Sequence, residues 1–186
     1  MKDAYIIIAV LFLLFSYVVF RVVVKRDYKK HMKLTPISYI LEVLVFAFHA
    51  NSIYLILPSQ WPQLPSLPED LILKTVSIVI FSIGVLILVI SYVSLGNKPS
   101  LGMDKNKLKT DGFYKYSRNP QLLGYGIMLL AFTILFFSWL LLFWFIQYLI
   151  ISFVMIKSEE EFLVQRYGDA YSDYHKKVPR IIKLWQ

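Results

Sequence analysis

The chain has 186 residues, of which 58% are hydrophobic, 17% aromatic and only 17% charged. An ordinary soluble domain carries about 25% charged residues, so this composition excludes disorder and argues for a lipid solvent. No cysteine is present, which excludes disulfides, zinc–thiolate sites, thiol catalysis and C-terminal prenylation. The net charge of +8 raises the question of nucleic acid, which the placement of the charges answers below.

The first apolar block runs from Ala4 to Val24 and is interrupted only by Arg21. About 20 residues at 1.5 Å rise cross a bilayer core, so the block reads as a span. It does not read as a cleaved signal peptide, because its basic cluster follows it and no small-residue cleavage site does. The second and third blocks cover residues 37–57 and 71–95. The fourth runs from Pro120 to Ile156 without a charged residue. As one helix it would measure about 55 Å, too long for a single crossing. Two helices over 120–137 and 139–156, joined by a tight turn near Phe137, Ser138 and Trp139, fit better. The expected fold is therefore all-α: a single polytopic membrane domain over residues 1–186, with five transmembrane helices.

The basic residues alternate by loop. Lys25, Arg26, Lys29, Lys30 and Lys33 follow the first block, and Lys98 to Arg118 follow the third. Another basic set, from Lys157 to Lys183, follows the last, while the proline-rich loop after the second block has no lysine or arginine. By the positive-inside rule the N-terminus lies outside and the C-terminus is cytoplasmic. The +8 then reflects topology and attraction to anionic membrane lipids, and no nucleic-acid partner is expected. Trp61, Trp139 and Trp144 read as interfacial aromatics.

Two cytoplasmic segments, 96–119 and 157–186, flank the helical hairpin, so folding it brings their near ends together. In the first, Arg118 and Asn119 precede Pro120 at the start of the fourth span. A helix N-terminus offers free N–H groups to an anion. The bland alternative is an arginine snorkelling to headgroups beside an N-cap asparagine. In the second, Glu159, Glu160 and Glu161 follow an apolar span directly. They suit a cation or ribose hydroxyls, or else simply favour a helix start. Phe162, Tyr167, Tyr171 and Tyr174 then recur at spacings of three to five, the pattern of a C-terminal amphipathic helix on the membrane face. Within the second span, Glu42 and His49 stand seven apart on one face. They are either functional intramembrane groups or a span-end carboxylate and a helix–helix hydrogen bond. The residues form no recognisable metal set, and no metal is expected.

The stretch LKTDGFYKYSRNPQLLG resembles the signature L-V-x-x-G-x-Y-x-x-x-R-(H or N)-P-x-Y-x-G of the isoprenylcysteine carboxyl methyltransferase and phospholipid methyltransferase superfamily. EEEFLVQRYGDAYSDYHKKVPR resembles its second signature, E-E-x-x-L-x-x-x-(F or Y)-G-x-x-Y-x-x-Y-x-x-x-V-P-R. The resemblance covers roughly the last half of the chain. It implies an integral membrane enzyme that moves a methyl group from S-adenosylmethionine to a lipophilic acceptor drawn from the bilayer, a prenylcysteine-type carboxylate or another lipid-like group. It also implies a cofactor site built from Asn106, Lys107, Leu108, Lys109, Tyr114, Asn119, Pro120, Gln121, Leu122, Glu159 and Glu160. Arg118 and Glu159 are the residues it points to for catalysis. Three positions depart from the most familiar family pattern: Asn119 replaces a histidine, Leu122 replaces a tyrosine, and Met155 stands where one branch has an arginine. Sterol reductases, which use NADPH, share a similar C-terminal half, and RYGDAYSDY fits their pattern as well. A non-enzymatic membrane protein that retains the fold is the further alternative.

Overall fold

A computed structural model describes residues 2–57, 63, 65–95 and 108–182. All regular secondary structure among the described residues is helical, with no strand among them. The first rod comprises α1 (Lys2–Val18), a π-helical turn (Val19–Val24) and α2 (Lys25–His31). Met32 ends it in the left-handed conformation (φ 54°), donating its N–H to the Tyr28 carbonyl. The helix α3 (Pro36–Asn51) starts with proline in its first turn, where a missing N–H costs nothing, and with Thr35 as N-cap accepting the Ser38 N–H. The Asp27 carboxylate accepts hydrogen bonds from the Thr35 and Ser38 hydroxyls and the Thr35 N–H, which binds α2 to α3. The remaining helices are α4 (Leu71–Leu95), α5 (Pro120–Leu135), α6 (Trp139–Tyr167) and α7 (Asp169–Lys177).

Four stretches are long and apolar enough to cross a membrane: Tyr5–His31, Pro36–Leu55, Leu71–Leu95 and Trp139–Tyr167. Pro120–Leu135 is apolar but shorter. Many large apolar side chains on these helices face outward, among them Ile7, Leu11, Leu14, Ile72 and Val93. That surface has no place in water and matches a hydrocarbon solvent.

Several boundaries differ from the sequence expectation: the first rod runs past Val24 to His31, and the α-helix of the second span ends at Asn51. α6 does not stop at Ile156 but continues through the glutamates to Tyr167, because nothing in KSEEEFLVQRY breaks a helix. The break falls at Gly168, whose positive φ of 53° is costly for other residues. Phe162 and Tyr167 therefore belong to α6, and only Tyr171 and Tyr174 lie on the short α7. Trp144 also departs from the interfacial assignment. It is buried, donates its indole N–H to the His49 carbonyl at 2.8 Å, and stacks on the His49 ring at a centroid distance of 4.8 Å. An indole can lie at depth when its N–H is satisfied, and His49 supplies that acceptor. Trp139, by contrast, is exposed. Trp61 lies outside the described residues.

The hairpin of α5 and α6 turns at Phe136–Ser138, where the Ser138 hydroxyl accepts the Leu141 N–H. α4 packs backbone to backbone on α5 at two glycines. A Cβ placed on Gly124 would lie 2.6 Å from the Leu88 nitrogen, and one on Gly84 would lie 2.7 Å from the Gly124 carbonyl oxygen. This close crossing brings the α4 C-terminus and the start of α5 to the same end of the bundle.

Candidate functional site

At that end the helices enclose a cavity of about 210 Å³. Its walls come from six places: Tyr28 and Leu34 around the end of α2, Glu42 of α3, Leu95 at the end of α4, Tyr114 before α5, Glu159 and Phe162 of α6, and Tyr171 and Tyr174 of α7. Leu108, Lys109, Arg118, Asn119, Gln121, Leu122 and Glu160 line it as well. Of the expected cofactor residues, all those described face this one space except Pro120, which is buried behind it as the first residue of α5. Asn106 and Lys107 lie outside the described residues.

Arg118 does not snorkel. Its side chain is only 7% exposed, and it pairs with Glu160 at 2.9 Å and donates to the Tyr171 hydroxyl at 3.2 Å. Its Nε is buried without a partner. Glu160 in turn takes Arg180 through both oxygens, at 3.1 and 2.6 Å. Such a bidentate pair fixes geometry as well as charge. The Glu160 carboxylate, closely bonded, holds the Arg180 guanidinium pKa above its ordinary value. The VPR stretch is thereby stitched to α6. It is stitched to the first segment too: the Arg118 N–H donates to the Pro179 carbonyl, and the Asn119 amide donates to the Arg180 carbonyl at 2.8 Å. Asn119 therefore does not cap α5 with its side chain, as the bland reading supposed.

The tyrosines complete the walls. Tyr174 donates its hydroxyl to the Tyr114 carbonyl at 2.7 Å, which anchors α7 on the short 3-10 turn Gly112–Lys115. Burial pushes the Tyr171 phenol pKa up to about 12, and Tyr114 and Tyr174 upward too, so all three stay neutral donors. Tyr28 stacks on Phe162 at 4.1 Å. The Leu122 carbonyl accepts the Tyr148 hydroxyl at 2.5 Å. Arg166 lines the cavity and donates to the Met32 carbonyl at 2.8 Å, satisfying the C-terminus of α2 rather than neutralising Glu159.

The third glutamate does something else. Glu161 points away and pairs with Arg21 at 2.9 Å and Lys25 at 2.6 Å. The three adjacent glutamates thus divide: Glu159 faces the cavity, Glu160 is clamped by two arginines, and Glu161 ties α6 to the first rod. Glu42 and His49 also part company. Glu42 lines the cavity, while His49 sits in the bundle core, with its Nε2 3.0 Å from the Trp144 carbonyl. Tyr28, Tyr171 and Arg180 were not singled out from sequence as site residues. Only the tyrosine periodicity and the terminal V-P-R hinted at two of them.

A second, almost wholly apolar groove of about 340 Å³ runs between α5 and α6. Leu122 lines both spaces, and Arg180 and Ile181 close one end of the groove.

A family model described as phospholipid methyltransferase matches residues 73–170, which hold α4, α5, α6 and most of the cavity wall. This chain belongs to the phospholipid methyltransferase family. It is similar to a protein of Schizosaccharomyces pombe named protein-S-isoprenylcysteine O-methyltransferase, at 38% identity over 84 residues. That match takes in 41% of this chain and 33% of the relative, so the chain spans a third of its length. No solved structure matches the chain. Family membership speaks for methyl transfer and does not favour the NADPH-dependent reading.

Proposed function

We propose that this chain transfers a methyl group from S-adenosylmethionine to a lipophilic acceptor at the cytoplasmic face of a membrane. The observation that carries the reading is the convergence of two sequence segments on one cavity. Leu108, Lys109, Tyr114, Arg118, Asn119, Gln121 and Leu122 line the same space as Glu159 of α6, although Leu122 and Glu159 are 37 positions apart in the chain.

The donor set suits such a cofactor. Gln121 brings a buried amide nitrogen with no partner, Glu159 an uncompensated carboxylate, and the tyrosines a polar but water-poor lining. When bound, the cofactor supplies an activated methyl group on a sulfonium. Leu108, Lys109, Tyr114, Asn119, Pro120, Gln121 and Leu122 form one side of its seat; the sequence resemblance adds Asn106 and Lys107, which lie outside the described residues. Glu159 takes its hydroxyl or cationic groups, and Glu160 holds the wall. Arg118, kept in place by Glu160 and Tyr171, orients the polar head of the acceptor. Methyl transfer needs alignment more than proton transfer, and this rigid wall supplies alignment. The apolar groove that shares Leu122 suits the acceptor's hydrocarbon part, entering sideways from the bilayer.

The topology is part of the proposal. Pro120–Leu135 serves as a fifth crossing paired with α4, the N-terminus lies outside, and the C-terminus is cytoplasmic. The alternating basic loops support this orientation. α7, with Tyr171 and Tyr174 turned inward, covers the cavity at the membrane surface.

The deciding experiment is calorimetry with S-adenosylhomocysteine in detergent, followed by a labelled-methyl screen of lipid extracts. Saturable binding and a labelled lipid are expected. Absence of binding would leave a non-enzymatic membrane protein as the better reading.

A further inference from the structure

The outer face of α2 takes no part in the cavity and carries charge without partners. Along the first rod the outward residues are apolar as far as Val22 and become basic at Arg26, Lys29 and Lys30. Four residues of helix rise about 6 Å, so these cations stand where hydrocarbon gives way to lipid phosphate. Lys33, just past the left-handed Met32, is exposed as well. Arg26 and Lys30 lie one turn apart on the same side, a like-charge pair that repels. The nearby acids are already engaged. The Asp27 carboxylate is buried, accepts the Thr35 and Ser38 hydroxyls, and lies 3.9 Å from Arg26, at the limit of pairing. Glu161 is held by Arg21 and Lys25. Lys29, Lys30 and Lys33 form no ion pair among the described residues. The positive-inside rule asks for cations in this loop without fixing which side of a helix they take. Here the other side of the same helix builds the cavity. Tyr28 lines it and stacks on Phe162 at 4.1 Å, and the Met32 carbonyl receives Arg166 at 2.8 Å.

The geometry points to the outer face of α2 as a docking surface for anionic lipid headgroups, whose contact steadies the cavity wall on the inner face. The partner is a bilayer lipid whose head carries net negative charge. Its phosphate lies between Arg26 and Lys30 and relieves their repulsion, while Lys29 and Lys33 add attraction. A zwitterionic head brings an ammonium along with its phosphate, so it gains far less beside a basic cluster. α1, the π-helical turn and α2 follow one another without a break as a single rod. A headgroup contact at Arg26 and Lys30 therefore restrains the tilt of Tyr28 and Met32 against α6. The docking surface stands apart from the methyltransferase reading, whereas its effect on cofactor affinity rests on that reading.

The test compares the full chain in nanodiscs of phosphatidylcholine alone and of two parts phosphatidylcholine to one part phosphatidylglycerol. The anionic lipid should raise Tm and tighten S-adenosylhomocysteine about threefold or more, and high salt should erase both gains, since exposed charges are screened. The double variant Arg26→Gln with Lys30→Gln should match the parent in phosphatidylcholine, which shows that it is folded, and should lose at least about half of each gain. A second double variant, Lys176→Gln with Lys177→Gln on the exposed side of α7, removes the same charge from another cytoplasmic helix and should keep both gains. Equal losses in the two double variants would reduce the effect to net charge and overturn the assignment to α2. A Tm that does not respond to phosphatidylglycerol in the parent would overturn it as well. A Tm gain with unchanged S-adenosylhomocysteine affinity would overturn the link to the cavity wall. A parent that binds no S-adenosylhomocysteine in either lipid would remove the methyltransferase reading and that link together, and the Tm comparison would still decide the surface.

Discussion

Glu160 engages Arg180 through both carboxylate oxygens, Nε to Oε1 at 3.1 Å and Nη2 to Oε2 at 2.6 Å. The same Oε1 lies 2.9 Å from Arg118. One carboxylate therefore ties α6 to Arg118, two residues before the start of α5, and to the V-P-R stretch after α7. Removing it leaves two guanidinium groups facing each other, and Arg118 is buried. Breaking a buried pair from one side costs about 3–5 kcal/mol. Glu160→Ala should lower the unfolding midpoint in detergent markedly and abolish S-adenosylhomocysteine binding. A variant with parental Tm and affinity would show that the clamp is not needed.

The neighbouring glutamates should separate cleanly. Glu159→Gln should weaken S-adenosylhomocysteine by about 1–3 kcal/mol, the range for losing a charged hydrogen-bonding partner, with little change in Tm. Glu161→Gln should do the reverse. Its side chain is 38% exposed, so losing the Arg21 and Lys25 pairs should cost no more than about 1 kcal/mol of stability and leave affinity unchanged. Calorimetry and thermal unfolding on both variants check this. Equal effects at the two positions would contradict the division of roles.

Arg118→Lys tests geometry rather than charge, because lysine keeps the cation and loses the planar fork. Arg118 bonds Glu160 and Tyr171 through Nη1, and a lysine nitrogen can keep these partners while losing the rest of the planar group, including the buried Nε. S-adenosylhomocysteine affinity should stay within about threefold of the parent, while kcat falls at least tenfold, about 1.4 kcal/mol of barrier. A parallel loss of affinity and rate would reassign Arg118 to the cofactor.

Gly124→Ala should destabilise by about 1–3 kcal/mol or more, the usual cost of forcing a methyl into a filled contact. The added Cβ would meet the Leu88 backbone nitrogen at 2.6 Å and the Gly84 carbonyl at 2.8 Å, and backbone cannot rotate away. Gly126→Ala should cost less, because the nearest atoms belong to the Tyr148 side chain, at 2.9 Å. Thermal unfolding of both variants in the same detergent gives the comparison. Equal costs would mean that α4 and α5 separate to accept the methyl.

The orientation is open to direct labelling, since the chain has no cysteine. Ser66→Cys should react with an impermeant maleimide on intact cells, and Ser172→Cys only after permeabilisation. The opposite pattern would put the cavity on the outer side.

The sequence by itself determined the solvent and the class of fold. Uninterrupted apolar blocks of bilayer length have no stable alternative to membrane helices, and loop charges do not depend on packing. The two signatures were legible as well, because each is a short run of residue types at fixed spacing that can be read without any tertiary contact. What only the tertiary structure decided is how residues distant in the chain share a space. Three consecutive glutamates read alike along the chain, yet helical rotation sends Glu159 to the cavity, Glu160 to two arginines and Glu161 to the first rod. Glu42 and His49 share a helix face but differ in depth, so one meets the cavity and the other meets Trp144. Periodicity specifies a face, whereas the neighbour on that face is set by helix crossing and depth. Here those follow from close contacts such as Gly84 against Gly124, which no local pattern announces.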